Sequence, residues 1–308
     1  MPATAMKKLL RKILFGDIPV REYATVTVEG EIVEKVFLEN GTERTDVSSL
    51  HWLLCLKPVI FGIWTNNAIA VSTTYRMFFY DSAGSGQPVA ELDLDFFEKI
   101  EDDAGTLLLL RLTTPRIHHL GFLKTRLLYY KHYKKPEQDF YTLQSYAAAY
   151  SYPRKVRLIS FRDGDYQNIF PMDLVGDVPC VPVYVFGLRH TNTTLRRIIA
   201  TRKMVVSEVP YVYKNIIYQL GKHHKDPQKA ADDFPVTNAG CYGFPIPGWA
   251  NSYKEIEITR TLNLGSHMLL FGKELNAVTL SPANGHLYHI HFLHYLHQHK
   301  KKMAYPMV

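Results

Sequence analysis

The sequence predicts a mainly β protein with helices, an α+β fold. Segments rich in Val, Ile, Thr and aromatic residues recur along the chain and are separated by Gly, Asn and Asp turn signals. Helical spacing of apolar residues is confined to a few stretches, among them residues 122–150. The chain has 308 residues, of which 46% are hydrophobic. That is enough for one large or two ordinary domains with a real core.

The first half is expected to form strands and turns, followed by helix. Asn40-Gly41 is a strong hairpin signal, and a short helix is predicted at Leu92–Glu101. Residues 122–150 are predicted to be mostly helical with a break at Pro136, because proline cannot continue a helix. Strands are predicted at residues 25–38, 50–64, 68–80 and 107–112.

A domain boundary is predicted at Ser151-Tyr152-Pro153, because a strand, turn, strand pattern restarts after it. The predicted domains are therefore residues 1–150 and 151–308. A helix of about two turns should follow Thr194, and a helical and irregular insert should run to Gly248. Further strands are predicted at residues 154–161, 166–172, 182–188, 204–209, 256–264 and 268–280, with a final strand or helix opening at Asn284-Gly285.

The two halves share a weak internal echo. Residues 58–66, PVIFGIWTN, resemble residues 182–192, PVYVFGLRHTN, when two insertions are allowed. Two copies of one barrel in a single chain would explain the echo. So would chance, because buried strands use the same few residue types. Both explanations stay open from the sequence.

We expect no signal peptide at the start of the chain. Four basic residues interrupt the apolar positions of residues 1–16, which predicts a helix docked on its own domain instead of a signal peptide. No apolar run approaches the roughly 20 residues of a transmembrane helix. Cys55, Cys180 and Cys241 are too few and too scattered for a disulfide framework or a metal site. We therefore expect a reducing, cytoplasmic location.

The charge of the chain is unevenly placed. Residues 1–150 carry a formal charge of −1 and residues 151–308 carry +8, for a total of +7. A basic half favours an anionic ligand. We expect no nucleic acid partner, because no basic stripe interleaved with aromatic residues is found.

Thr191-Asn192-Thr193-Thr194 precedes a predicted helix and has the chemistry of a phosphate site. Helix N-termini offer free N–H groups, and the hydroxyl groups and neighbouring arginines add donors and charge. The arginines concerned are Arg189, Arg196 and Arg197. An ordinary N-cap with solvated arginines is the alternative, and this stretch alone does not separate the two.

The C-terminal segment holds six histidines. Three of them, His291, His294 and His297, are spaced so that a helix would place them on one side, as metal ligation requires. No carboxylate or cysteine accompanies them, and alternation in the first part suits a strand as well. We therefore expect a surface segment with incidental metal affinity and no dedicated metal site. No credible catalytic nucleophile, Gly-rich phosphate loop or carboxylate pair is found elsewhere.

The order of segments from about residue 155 to 280 resembles the flavin reductase-like family, whose domain is a split β-barrel that binds FMN. The strand and hairpin at its start and the Asn-x-x-Pro segment match, as do the Ser/Thr loop with its helix and the Gly-x-His strand. In this chain these segments are residues 156–164, 168–173, 188–198 and 265–275. The resemblance does not cover the first half, which would be a degenerate second barrel if the internal echo is real.

The resemblance implies an FMN cofactor, with NADH or NADPH as hydride donor and the flavin as the redox group. His267 would lie close to the flavin ring as the catalytic residue. The cofactor-binding residues implied are Asn168, Pro171, Met172, Asp173, Arg189, Thr191, Asn192, Thr193, Thr194 and Arg196. Gly265-Ser266 is interpreted as a turn or bulge that aims His267 toward the ring.

Asp173 stands where the family commonly has serine. A carboxylate there would repel a phosphate or the ring unless it is protonated or turned away. Two functions therefore remain in view: a flavin reductase-like oxidoreductase, and a non-catalytic barrel that binds haem, a metal or another ligand. Either a homodimer or, if the two halves imitate the family dimer, a monomer is compatible with the sequence.

Overall fold

The computed structural model describes residues 18–66, 72–81, 86–136, 138–222, 235–282 and 285–308. The helix predicted for residues 1–16 lies outside these ranges. Within them the chain forms nineteen strands and five α-helices, which confirms a mainly β protein with helices. None of the described helices has the length and apolar character needed to cross a membrane.

Seven strands of the first half form one antiparallel sheet. Its strands are β2 (Lys35–Asn40), β3 (Glu43–Asp46), β4 (His51–Leu56), β5 (Val59–Thr65), β6 (Thr74–Tyr80), β7 (Ala90–Asp102) and β8 (Gly105–Ile117). Their order in space is β3-β2-β6-β7-β8-β5-β4. The edge strand β4 is buried along its whole length, which shows that something else covers it.

Seven strands of the second half form another antiparallel sheet. Its strands are β10 (Arg157–Asp163), β11 (Tyr166–Met172), β12 (Val175–Asp177), β13 (Val183–Arg189), β14 (Lys203–Glu208), β17 (Ser252–Asn263) and β18 (His267–Thr279). Their order in space is β11-β10-β14-β17-β18-β13-β12. Counted along the chain within each sheet, both orders read 2-1-5-6-7-4-3. The first half therefore repeats the topology of the second, and the two echo segments fall on equivalent strands, β5 and β13.

A third sheet joins strands that are distant in sequence. Strand β19 (His286–His291) pairs with β1 (Tyr23–Val28) on one side and with β9 (Arg154–Lys155) on the other. Because this sheet takes strands from both sides of the predicted boundary, the division of the chain after residue 150 stays a prediction. A small hairpin, β15 (Val236–Asn238) and β16 (Pro245–Pro247), lies between β14 and β17 in the chain.

Five α-helices lie between or after the strands in the described residues. They are α1 (Phe122–Leu128), α2 (Phe140–Ala149), α3 (Leu195–Thr201), α4 (Lys214–Lys222) and α5 (Phe292–Lys300). A π-helical turn, Tyr129–Tyr133, follows α1, and the helical stretch is interrupted before α2 as predicted. The last predicted element proves to be a strand, β19, followed directly by a helix, α5.

The two seven-stranded sheets pack through strand β4 of the first half. Strand β4 lies against β12, β13 and β18 of the second half, and one apolar core contains buried side chains of both halves. The approach is close enough to require glycine at Gly187, where a Cβ atom would lie 1.8 Å from the carbonyl oxygen of Leu54. At this contact the two halves are therefore packed as closely as the interior of a domain.

The short helix predicted at Leu92–Glu101 is wrong, because these residues belong to strand β7. Leu92 and Leu94 are buried, and Asp93 between them is partly exposed, which is the alternation of a strand. The Asp93 carboxylate accepts two hydrogen bonds of 2.7 Å from Arg116 on the neighbouring strand β8. Register shifts further along β7 interrupt the alternation and obscured it in the sequence.

Candidate functional site

A cavity of about 350 Å³ opens between the two halves. The second half contributes the link from β11 to β12, the end of β13 and the start of β18. The first half contributes Leu56 from β4, Tyr23 from β1 and Tyr150 after α2. The volume falls in the range of small-molecule and cofactor sites. Since both halves line it, the shape of the cavity depends on how the two halves pack against each other.

Most of the residues that the sequence assigned to a cofactor site line this cavity. They are Pro171, Met172, Asp173, Arg189, Thr191, Asn192 and His267. The apolar wall between them is formed by Phe170, Leu174, Leu188 and Leu56. A largely apolar wall with a cation and hydroxyl groups at one side is chemically suited to an aromatic ring system that carries an anionic tail.

Asn168 and Thr194 do not line the cavity, and the structure revises their expected role. Both side chains are buried, and the Asn168 amide Nδ2 donates to Thr194 Oγ1 at 2.7 Å. The hydroxyl of Tyr166 lies 2.9 Å from the same Thr194 oxygen. These side chains therefore bind one another and hold the Thr191–Thr194 loop against strand β11.

The N-terminus of α3 also differs from the phosphate site that its sequence suggested. The N–H of Thr194 donates to Asn192 Oδ1 at 2.9 Å, and the N–H of Leu195 donates to the Asn192 carbonyl oxygen. Thr193 and Arg196 are exposed and lie outside the cavity lining. The amides of Thr194 and Leu195 are thus used inside the loop, and of the cation and threonine hydroxyls predicted for this site, Arg189 and Thr191 line the cavity.

His267 is held at the first position of β18 by a turn that contacts the first half. Gly265 has a φ of 114°, and a Cβ atom there would lie 2.6 Å from the Lys57 carbonyl oxygen. Ser266 donates its N–H to that same oxygen at 2.8 Å, and its hydroxyl lies 2.8 Å from His267 Nδ1. The Gly-Ser pair therefore orients the histidine, as the sequence predicted for this turn.

The imidazole of His267 is neutral at pH 7. Its exposed fraction is only 2%. Burial, with the nearby charge of Arg189 as the next cause, lowers the pKa of His267 to about 4. A neutral imidazole can accept or donate one hydrogen bond in the cavity without adding charge to it.

Asp173 is engaged by partners that the sequence did not indicate. His289 Nδ1 lies 2.9 Å from Asp173 Oδ2, and the Tyr150 hydroxyl donates to the same oxygen at 3.2 Å. Burial opposes ionisation of Asp173, but the hydrogen bond and charge of His289 and the hydrogen bond from Tyr150 together outweigh it and lower the pKa of the carboxyl. The carboxylate is therefore ionised and compensated, so the repulsion expected from an unpaired Asp173 is reduced.

The other ring nitrogen of His289 contacts a different element of the fold. Its Nε2 atom lies 2.8 Å from the hydroxyl of Tyr218 on α4. The Tyr218 hydroxyl is in turn hydrogen-bonded to Thr25 Oγ1 on β1. No local signal marks His289 in the sequence beyond the alternation of the C-terminal histidines, because its partners lie on other elements.

The C-terminal histidines do not form the surface segment that the sequence predicted. His291 and His294 are fully buried, since β19 is the central strand of its sheet and α5 packs beneath it. His294 Nε2 lies 3.3 Å from Glu34, and His297 Nε2 lies 2.9 Å from Asp81. Among the described residues, no group of three or more His, Cys, Asp or Glu side chains is arranged to hold a metal ion.

Several solved structures are similar to part of this chain. An FMN-binding protein from Thermus thermophilus matches with a TM-score of 0.37 and 21% identity, over 42% of this chain and 71% of its own. An NADH:FAD oxidoreductase from Streptomyces globisporus matches with a TM-score of 0.40 and 16% identity, over 44% and 77% of the two chains. The flavin reductase component of a bacterial two-component tryptophan halogenase matches with a TM-score of 0.42 and 14% identity, over 46% and 89%.

These matches are flavin reductases and FMN-binding proteins. They are proteins of the kind that the order of sequence segments already resembled. No protein-family model and no curated protein matches the chain.

Proposed function

We propose that the cavity binds a flavin, with FMN as the expected form, and that the protein is a flavin reductase-like oxidoreductase. The proposal rests mainly on five residues that were assigned from the sequence resemblance and that line one cavity. They are Pro171, Met172, Asp173, Arg189 and His267. A bound flavin would supply the hydride-accepting chemistry, with NADH or NADPH as donor. The remaining tasks belong to the side chains of this chain.

Each part of the cavity has a task that follows from its chemistry. The apolar wall excludes water from the ring, which strengthens polar contacts inside the site. The guanidinium of Arg189 offers a charge-assisted contact to a phosphate. The neutral imidazole of His267, fixed by Ser266, offers a hydrogen bond at the cavity wall. This division supports a ring held inside and a phosphate held at the Arg189 side.

Replacing Arg189 with alanine is expected to raise the Kd for FMN at least about tenfold, since hydrogen bonds to charged groups contribute roughly 1.5–3 kcal/mol. The Kd for riboflavin, which lacks the phosphate, should rise much less. Flavin fluorescence titration measures both values. The matched control is Arg196→Ala, because Arg196 is exposed and lies outside the cavity lining.

The titration separates the possible failures. Absence of FMN binding at saturating concentration would refute the flavin proposal. Equal losses for FMN and riboflavin in Arg189→Ala would refute the placement of the phosphate. If FMN binds but neither NADH nor NADPH reduces it, the oxidoreductase proposal is wrong while flavin binding stands.

We also propose that one chain forms a complete site without a second copy. Support comes from the two sheets of identical topology and from the contributions of both halves to the cavity. The expected result is a monomer by light scattering that binds one FMN per chain. A dimer whose dissociation abolishes FMN binding would contradict it.

The three cysteines are free, and a reducing, cytoplasmic location stays a prediction.

A further inference from the structure

We propose that Asp173, His289 and Tyr218 form a proton relay between the cavity and the protein surface. Asp173 and His289 line the cavity, whereas Tyr218 on α4 is 39% exposed. The inference rests on the proposed function, because a relay has a task only if the cavity hosts a reaction that takes up or releases protons. It assigns a role to His289 and Tyr218, which the flavin proposal does not use.

The hydrogen bonds of the relay have one consistent direction. An ionised carboxylate only accepts, so His289 Nδ1 must carry the hydrogen directed at Asp173. In a neutral imidazole Nε2 is then an acceptor, and the Tyr218 hydroxyl donates to it. Burial raises the pKa of Tyr218, which keeps its hydroxyl protonated at neutral pH. Every bond therefore points from the surface toward the cavity.

The other groups around His289 do not replace it in this role. Tyr23 stacks obliquely on it with ring centroids 6.4 Å apart, and burial raises the pKa of Tyr23 far above neutrality. The Tyr150 hydroxyl donates to Asp173. Arg154 lies opposite His289 in the backbone register of strands β9 and β19. The remaining polar groups of the cavity are Arg189, Thr191, Asn192 and His267. His267 is a neutral imidazole at pH 7 and lacks the second proton of an imidazolium, because its pKa is about 4.

The relay moves one proton without changing its own charge. A proton enters at Tyr218, crosses the imidazole of His289 from Nε2 to Nδ1, and reaches the cavity through the carboxyl of Asp173. A bound flavin would accept one hydride, with its electron pair, from a reduced nicotinamide. The one proton that balances this transfer comes from solvent through Tyr218.

The first test uses the protein without flavin. Nitrogen-15 NMR of labelled histidine is expected to show His289 protonated at Nδ1, with an Nδ1–H resonance protected from exchange. Both features should be lost in Asp173→Asn and kept in the control Tyr130→Phe, since Tyr130 is 58% exposed and lies outside the cavity lining. Protonation of the wild-type neutral ring at Nε2 would overturn the relay.

The second test uses the FMN complex mixed with NADH in a stopped-flow instrument. His289→Gln should slow reduction by about 100-fold, within the usual range for general acid catalysis, and should flatten its pH dependence. Tyr218→Phe should slow it by about tenfold and change the solvent isotope effect. The Kd for FMN should stay within about twofold for both variants and for the control Tyr130→Phe.

These outcomes separate the relay from the flavin proposal. An unchanged pH profile and rate in His289→Gln would overturn the relay, and so would a rate loss that only follows lost FMN affinity. If wild-type protein does not bind FMN or is not reduced, the proposed function fails on that point. The relay is then decided by the protonation of His289 in the first test.

Discussion

Replacing Gly187 with alanine is expected to lower the free energy of unfolding by about 3 kcal/mol or more, at the upper end of overpacking effects. The added methyl carbon would lie 1.8 Å from the carbonyl oxygen of Leu54 and 3.0 Å from its Cα atom. Backbone atoms of a buried strand cannot rotate away as the end of a flexible side chain can. The variant must therefore separate β4 from β13, and with them the two halves.

Urea denaturation followed by circular dichroism measures this loss, and FMN titration should show weaker binding because Gly187 also lines the cavity. The matched control is Gly121→Ala, because a methyl group at Gly121 meets no described atom within 4 Å and its φ of −57° suits alanine. A stability of Gly187→Ala within about 0.5 kcal/mol of wild type, the usual range for surface changes, would show that the sheets are not packed as described.

Replacing Arg157 with methionine is expected to cost about 3–5 kcal/mol, the usual loss when one partner of a buried ion pair is removed. The side chain of Arg157 is 6% exposed, and it donates to Glu208 Oε1 at 2.6 Å and to Asp177 Oδ1 at 2.7 Å. Without it, the largely buried carboxylate of Glu208 keeps Lys155 as an ion-pair partner, with His286 Nδ1 3.6 Å away. Chemical denaturation at pH 7 measures the loss.

The control for this prediction is Arg197→Met. Arg197 and Asp163 form an ion pair of 3.0 Å whose side chains are both 45% exposed. Pairs of this kind contribute between about 0 and 1 kcal/mol. Similar losses in the two variants would mean that the Arg157 pair is not the buried, stabilising contact that the structure describes.

The Arg157 contact also predicts acid sensitivity. Burial opposes ionisation of Glu208, but the charges of Arg157 and Lys155 outweigh it and lower its pKa from an ordinary 4.5 to about 2. A lowered carboxyl pKa contributes stability above pH 4.5, and that stability is lost as pH falls from 4.5 toward 2. The free energy of unfolding should fall in this window, and the fall should be smaller in Arg157→Met.

The sequence predicted much of the site because its elements are local. The strand, turn, strand pattern that begins after residue 153 predicted the strand at residues 166–172, which carries Pro171 and Met172 and ends next to Asp173. The Ser/Thr loop and the Gly-Ser turn before His267 were likewise visible in short segments. Local periodicity and turn chemistry reflect backbone preferences of neighbouring residues, so they can be interpreted without knowledge of the fold.

The sequence did not determine which residues of separate segments meet. The pairing of Asn168 with Thr194 removed both from the cavity, and the contact of Asp173 with His289 joins residues 116 positions apart. Strand β7 was mistaken for a helix because its pairing with β6 and β8, more than its own pattern, decides its conformation. Such contacts depend on packing between distant elements, and local sequence preference carries no information about them.

By itself, then, the sequence determined a mainly β chain, a second half resembling a flavin-binding split barrel, and seven of the residues that line one cavity. Only the tertiary structure decided that the first half repeats the same strand order and closes that cavity, and that β19 brings His289 to Asp173. The physical reason is that strand order and interface packing arise from long-range burial and hydrogen bonding. Long-range burial and hydrogen bonding favour one arrangement of the halves over others only when the whole chain is folded.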